Sequence, residues 1–318
     1  MRRNALSRIE FVVALLMVAV LAGLGFSLIQ RVRESAARTS CQSNLRQLAL
    51  GVLNYDGVNA QLPPLVDADA GLMSVFAQLC PYLEASSRMY ASPRSSAERY
   101  HAASSVSFPF TGQSGQKSSQ DGGDANQIWS FFLDPADPTP KGQRDVPVTL
   151  PHGSIGYYAT GNYAVNGLLA WGKKSSAKSL EEWPAPAVLF AERLQTCRTA
   201  NGEVIHNLWG VGFYSPNLPA FAALTPTDPP GLQSTGQIAP ATGGQFRIGR
   251  ADAVPQSADF STPIQLLRDG QPCDPRLPAT PHRTGMPTAM SDGSVRVFAP
   301  NTDAETFWAA CAGPPPVR

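Results

Sequence analysis

The sequence predicts an α+β protein in which one long N-terminal helix packs on an antiparallel, loop-rich β domain. Three observations carry this reading. No proline occurs between Leu6 and Leu62, and the apolar residues of the second half of that stretch fall at helical spacing. The rest of the chain holds most of its 29 prolines and 27 glycines, which cut it into short candidate strands. Near the C-terminus PTAMSDGSVRVF sets an Asp-Gly pair between two alternating runs, the signature of a hairpin.

The first element divides in two. From Phe11 to Ile29 there is no charged residue, and nineteen such residues as a helix span roughly 28 Å, the thickness of a bilayer's hydrocarbon core. Residues 6–30 are therefore expected to form a transmembrane helix. The apolar run is longer than that of a secretory signal peptide, and no A-x-A site follows it. Residues 31–60 read as an amphipathic continuation: Leu45, Leu48, Ala49 and Val52 stand at i, i+3, i+4 and i+7, with Cys41 and Tyr55 extending the stripe. The helix is expected to end near Asp56-Gly57, and Pro63-Pro64 prevents its return. Gly23 and Gly25 are its weak points, tolerated in a membrane helix.

Residues 61–318 read as one irregular β-rich domain. Leu72 to Leu83 carries a helical stripe up to Pro81 and predicts a short helix. Residues 102–126 are rich in Ser, Gly and Gln without periodicity and predict a surface loop. Strands are predicted at Ile128 to Leu133, Tyr157 to Val165, Val188 to Glu192 and Phe246 to Ile248. A hairpin is predicted from Thr288–Ser291 and Ser294–Phe298, joined by Asp292-Gly293 as a two-residue type I′ turn.

Composition excludes several functions. Twenty-five basic against 24 acidic residues give a net charge of +1, so no basic surface points to nucleic acid. The five cysteines, Cys41, Cys80, Cys197, Cys273 and Cys311, show no CxxC spacing with histidines, which argues against a zinc-finger or thioredoxin-like site. Two disulfides and one free thiol are permitted, in several pairings. No GxSxG, HExxH or phosphate-binding glycine loop supports an enzyme.

The N-terminus resembles a known family. Arg2, Arg3, Ala5, Leu6, Ser7, Arg8, Ile9 and Glu10, followed by FVVALLMVAVLAGLGFSLIQ, are similar to the basic leader, cleavage point and apolar helix of bacterial type IV prepilins and type II secretion pseudopilins. VRESAARTSCQSNLRQLALGVLNYDG resembles a bacterial family with a prepilin-type N-terminus and a large domain of unknown function. That likeness returns in FFLDPADP, GYYATGNYAVNG, VLFAER and CDPRLPATPHRTGMPTAMSDGSVRVF.

The resemblance implies a pilin-like fold and a short leader, residues 1–5. It implies cleavage between Ala5 and Leu6 by a prepilin peptidase, methylation of the new amine on Leu6, and pairing of Glu10 with the terminal ammonium of a neighbouring pilin-like subunit. Pairing a carboxylate with an ammonium at low dielectric offsets part of both desolvation costs. It further implies a single-pass protein of the bacterial inner membrane with its body outside the cytoplasm, in a periplasmic or surface fibre. The chain departs from the pattern at Ala5 for glycine, Leu6 for phenylalanine and Arg8 for leucine. An uncleaved anchor carrying an extracytoplasmic ligand-binding module is the alternative.

Candidate site residues in the body are few. His282, Asp292 and Gly293 lie in the family's His-to-Asp-Gly stretch, where Ser291 or Ser294 would complete a hydrolase triad. Turn chemistry explains them more simply, and a ligand role is the second reading. Asp134 and Asp137 of DPADP offer oxygens of the kind calcium takes, but two acids flanked by prolines also describe a rigid turn. No metal site and no cofactor is assigned.

Overall fold

The computed structural model describes residues 8–67, 73–83, 126–139, 142–149, 155–167, 169, 180, 186–200, 202–212, 215, 217–221, 263–267 and 271–312. The strand expected at Phe246 to Ile248 and residues 102–125 of the loop expected at 102–126 lie outside them.

Helix α1 runs unbroken from Arg8 to Asn59. Ala60, at φ 53°, turns its N–H back to the Asp56 carbonyl at 2.7 Å, and this left-handed residue stops the helix three positions before the first proline. The two halves differ in what they touch. Ala37, Cys41, Leu45, Leu48, Ala49 and Val52 are buried, as the stripe predicts, whereas Ile9, Phe11, Val12, Leu15, Leu16, Met17 and Leu21 are exposed. Among the described residues no helix is long and apolar enough to cross a membrane. The side chains at 22 and 24–28, inside the uncharged run, lie outside those residues.

The docked half of α1 lies on a five-stranded sheet of order β13-β12-β6-β5-β9. Its strands are β5 (Tyr163–Asn166), β6 (Val188–Glu192), β9 (Ala220–Phe221), β12 (Met286–Met290) and β13 (Val295–Phe298). On the α1 face, Leu45, Leu48 and Val52 meet Phe76, Leu79, Phe132, Phe190 and Ala289. On the opposite face, Val188, Phe221, Met286, Met290 and Phe298 meet Phe307 and Trp308 of a C-terminal helix, α3 (Ala304–Ala312). Asn166 of β5 donates to the Cys311 carbonyl at 2.7 Å and ties that helix down. The body is thus helix, sheet, helix, and both faces of the central strands are buried, which is why β5, β6 and β12 are buried throughout.

Smaller elements surround this core. β1 (Val66–Asp67) pairs with β2 (Met73–Ser74), β3 (Val146–Thr149) with β4 (Ile155–Tyr158), β7 (Thr196–Arg198) with β8 (Val204–His206), and β10 (Gln265–Leu266) with β11 (Ala279–Thr280). Helix α2 is Val75–Leu79, capped by the Ser74 hydroxyl and continued by a 3₁₀ turn at Cys80–Tyr82.

The structure corrects several expectations. The five-stranded sheet is mixed, since β5 and β9 pair in parallel, and the separate β10–β11 pair is parallel too. Ile128 to Leu133 is not a strand: Ser130–Phe132 form a 3₁₀ turn whose rings pack on one another and on Trp209, so its backbone bonds close locally. Tyr157 to Val165 is broken between β4 and β5 at Thr160–Asn162. There Gly161 donates to the Asn207 carbonyl, and a Cβ on it would sit 3.2 Å from Trp209. The hairpin has a three-residue loop rather than a type I′ turn. Gly293 donates to the Met290 carbonyl at 3.0 Å, Met290 donates to the Ser294 carbonyl at 2.9 Å, and only Gly293, at φ 80°, is left-handed. That is a type I turn followed by a glycine bulge. One disulfide forms, Cys197–Cys273, and Cys41, Cys80 and Cys311 are buried and outside any disulfide.

Candidate functional site

Where α1 leaves the body, four ionisable side chains meet in the interior: Cys41, Asp134, Glu192 and His282. None is more than 1% exposed, and one donor atom from each lies within 4.8 Å of every other. Each comes from a different segment. Cys41 stands one turn before Leu45 on the docked stripe. Asp134 opens the DPADP turn. Glu192 ends β6, opposite Tyr163 of β5. His282 follows β11, its N–H donating to the Thr280 hydroxyl at 3.1 Å.

The carboxylates are held in a matching way, one oxygen anchored and one aimed inward. Asp134 Oδ1 accepts from the Ala136 N–H at 2.7 Å, while its own N–H donates to Asn162 Oδ1 at 2.9 Å. Glu192 Oε2 accepts from the Thr280 hydroxyl. The inward oxygens, Asp134 Oδ2 and Glu192 Oε1, accept no hydrogen bond. Each lies 3.4 Å from His282 Nε2, which is equidistant between them. His282 Nδ1 on the far side of the ring also has no hydrogen-bond partner.

Electrostatics follow from this packing. Burial alone would lower the His282 pKa, but Asp134 and Glu192 overcome it and raise it to about 10. Burial raises the Glu192 carboxyl, helped by the charge of Asp134. Burial, then Glu192 and Asp134, push the Cys41 thiol far above its ordinary value, and burial does the same to the Tyr163 phenol. One imidazole faces two carboxyl groups, so acidic groups outnumber basic ones in the centre.

The predicted site residues separate. His282, expected beside a turn, is buried in this centre. Asp292 is exposed at the hairpin tip, where its carboxylate accepts from the Ser294 N–H at 2.9 Å, and it has no part in the cluster. Gly293 lies against Leu53 of α1. Asp134 and Asp137 also part. Asp137 accepts from Asn162, from the Gln195 N–H and from Thr139, so it is a satisfied turn acid, and only Asp134 reaches the centre. Glu10 sits in the exposed first turn of α1. Ala5 and Leu6 lie outside the described residues.

Cys41 and Glu192 were missed. The available signals were an acid at the end of the apolar run VLFA and a cysteine on the buried helical stripe. The segments SCQSN, FFLDPADP, GYYATGNYAVNG, VLFAER and PATPHRTG each place at least one residue in or against the centre, namely Cys41 and Asn44, Asp134, Asn162 and Tyr163, Glu192, and Thr280 with His282.

Comparison with known proteins bears on the first half of the chain. Residues 30–179 are similar to a family described as Protein of unknown function (DUF1559). The matched region begins within α1 and includes Cys41, Asp134 and Tyr163, so two of the four donors lie in it. No curated protein and no solved structure matches the chain.

Proposed function

We propose that this chain is a membrane-anchored, prepilin-type structural or assembly protein, a minor pseudopilin-like component of a secretion or surface-fibre apparatus. The observation that carries the reading is the contrast along α1. One continuous helix is buried on its C-terminal half from Ala37 to Asp56 and presents exposed apolar side chains, including Ile9, Phe11, Leu15, Leu16 and Leu21, on its N-terminal half. Such a surface needs an apolar medium, and the occupant that fits a helical stretch uncharged from Phe11 to Ile29 is the bilayer, with neighbouring copies beside it. In this reading the prepilin peptidase cuts between Ala5 and Leu6, the Leu6 amine is methylated, and Glu10 receives the ammonium of an adjacent subunit. The Cys197–Cys273 disulfide suits a body on the oxidising side of an inner membrane. A body this large is more easily accommodated in a low-copy or terminal subunit than in a tightly packed shaft.

Intact-mass analysis of protein extracted from membranes tests this. A chain beginning at N-methylated Leu6 is expected. Retention of Met1 to Ala5 overturns processing and leaves a plain tether.

A further inference from the structure

We propose that Cys41, Asp134, Glu192 and His282 form a structural zinc site that locks α1 to the body. The geometry is that of metal donors rather than of an ion pair. A charge-assisted N–H···O bond closes to about 2.7–2.9 Å, yet both carboxylates stop at 3.4 Å from His282 Nε2. A single Nε2–H can serve only one of two acceptors well, and here it would be shared equally between two. Zinc bonds of about 2.0–2.2 Å in a tetrahedron instead place donor atoms about 3.3–3.6 Å apart, which is the spacing of both carboxylates from His282 Nε2, and the Cys41 thiol lies within 4.8 Å of all three.

The surroundings agree. Asp134 Oδ2, Glu192 Oε1 and His282 Nε2 are buried, lie within 4.8 Å of one another and have no hydrogen-bond partner. The second oxygen of each carboxylate is fixed by Ala136 N–H or by the Thr280 hydroxyl, the supporting bonds that orient metal ligands. A thiol, an imidazole and two carboxylates are a mixed S, N and O set that zinc accepts and that calcium, which takes oxygen alone, does not. A divalent ion would also neutralise the two carboxylates and the thiolate that bind it. Binding expels the Cys41 thiol proton and the His282 imidazolium proton to solvent, leaving thiolate and neutral imidazole as ligands. With four protein donors and no exposed edge, the site is closed, as structural zinc sites are.

The test uses the full chain in detergent. Metal content is measured after purification without chelator, and the stripped protein is titrated with zinc and with cobalt. The expected result is one equivalent per chain, with a tetrahedral cobalt spectrum and a thiolate-to-cobalt charge-transfer band. Cys41→Ser should remove that band. Thr280→Val, which leaves the ligands in place, should weaken zinc binding about 10–100-fold with an unchanged circular dichroism spectrum. Stoichiometry well below one equivalent in the unaltered chain overturns the proposal, as does a charge-transfer band that survives in Cys41→Ser. A melting shift with calcium but none with zinc also overturns it. None of these readouts depends on N-terminal processing, so the site and the assembly reading stand or fall separately.

Discussion

Asn44 of α1 donates through Nδ2 to the hydroxyl of Tyr163, in the central sheet, at 3.2 Å. The bond lies one turn from Cys41 and joins the helix to β5 just where the helix leaves the body. The same amide also reaches the Leu133 carbonyl at 3.3 Å, so one side chain spans the helix, the DPADP turn and the sheet. Tyr163→Phe keeps the buried ring and deletes the hydroxyl, and is expected to cost about 1 kcal/mol, read in a urea melt.

The charge imbalance of the metal-free centre sets a pH dependence. His282 is raised from 6.5 to about 10, so the stability it contributes is full below 6.5 and lost as pH climbs through 10. Glu192 is raised from 4.5, so the folded state holds its proton longer than the unfolded one and loses stability as pH rises above 4.5. Both act in the same direction. Chelated protein should therefore melt at progressively lower temperature as pH goes from 5 to 10. Zinc-loaded protein should resist this, because its ligands bind best deprotonated. Parallel curves for the two forms would contradict the expectation.

Gly293→Val and His282→Ala separate backbone from electrostatic contributions. At φ 80°, with a new Cβ 3.2 Å from Leu53 Cδ1, valine strains the hairpin tip and crowds α1, a loss of about 1–3 kcal/mol. His282→Ala strips the buried carboxylates of their cation and should cost more, about 3–5 kcal/mol. Asp292→Ala, at an exposed turn, should cost under about 1 kcal/mol. The ranking in thermal melts, His282→Ala worst, is the check.

Thiol chemistry should follow burial. Cys41, Cys80 and Cys311 are buried thiols outside the disulfide, so native protein should take up no maleimide while unfolded, unreduced protein takes up three. Reducing Cys197–Cys273, which spans 76 positions, should lower stability by about 2–4 kcal/mol without dissolving the five-stranded sheet.

What was legible in the sequence was periodic. The stripe through Leu45, Leu48 and Val52 gave the docked face of α1, the β-branched and apolar run Val188 to Glu192 gave β6 to the residue, and Asp292-Gly293 gave the hairpin. Ile128 to Leu133 misled because aromatic residues that suit a strand suit a tight turn packed in the core equally well. The helix α3 went unread because nine residues with Phe307, Trp308 and Cys311 on one side give little periodic signal. The centre itself was hidden by distance. Its four donors come from four segments with no local ligand spacing, and only the sheet brings Glu192 and His282 under Cys41. The Asp-Gly turn nearby drew His282 into the wrong company.

The separation of those donors along the chain also fixes an order of events. Cys41 and His282 are 241 positions apart (282 − 41), and at about 5–20 residues per second their synthesis is separated by on the order of 10–50 s. Throughout that interval the stripe of α1 lacks β12, the central strand it lies across, which is made later still. The docked face of α1 therefore stays incompletely covered by its own body until translation is almost complete. A chain cut short before His282 carries an apolar stripe that β12 does not cover and two acids without the imidazole that meets them, a surface open to proteases that clear unfinished protein.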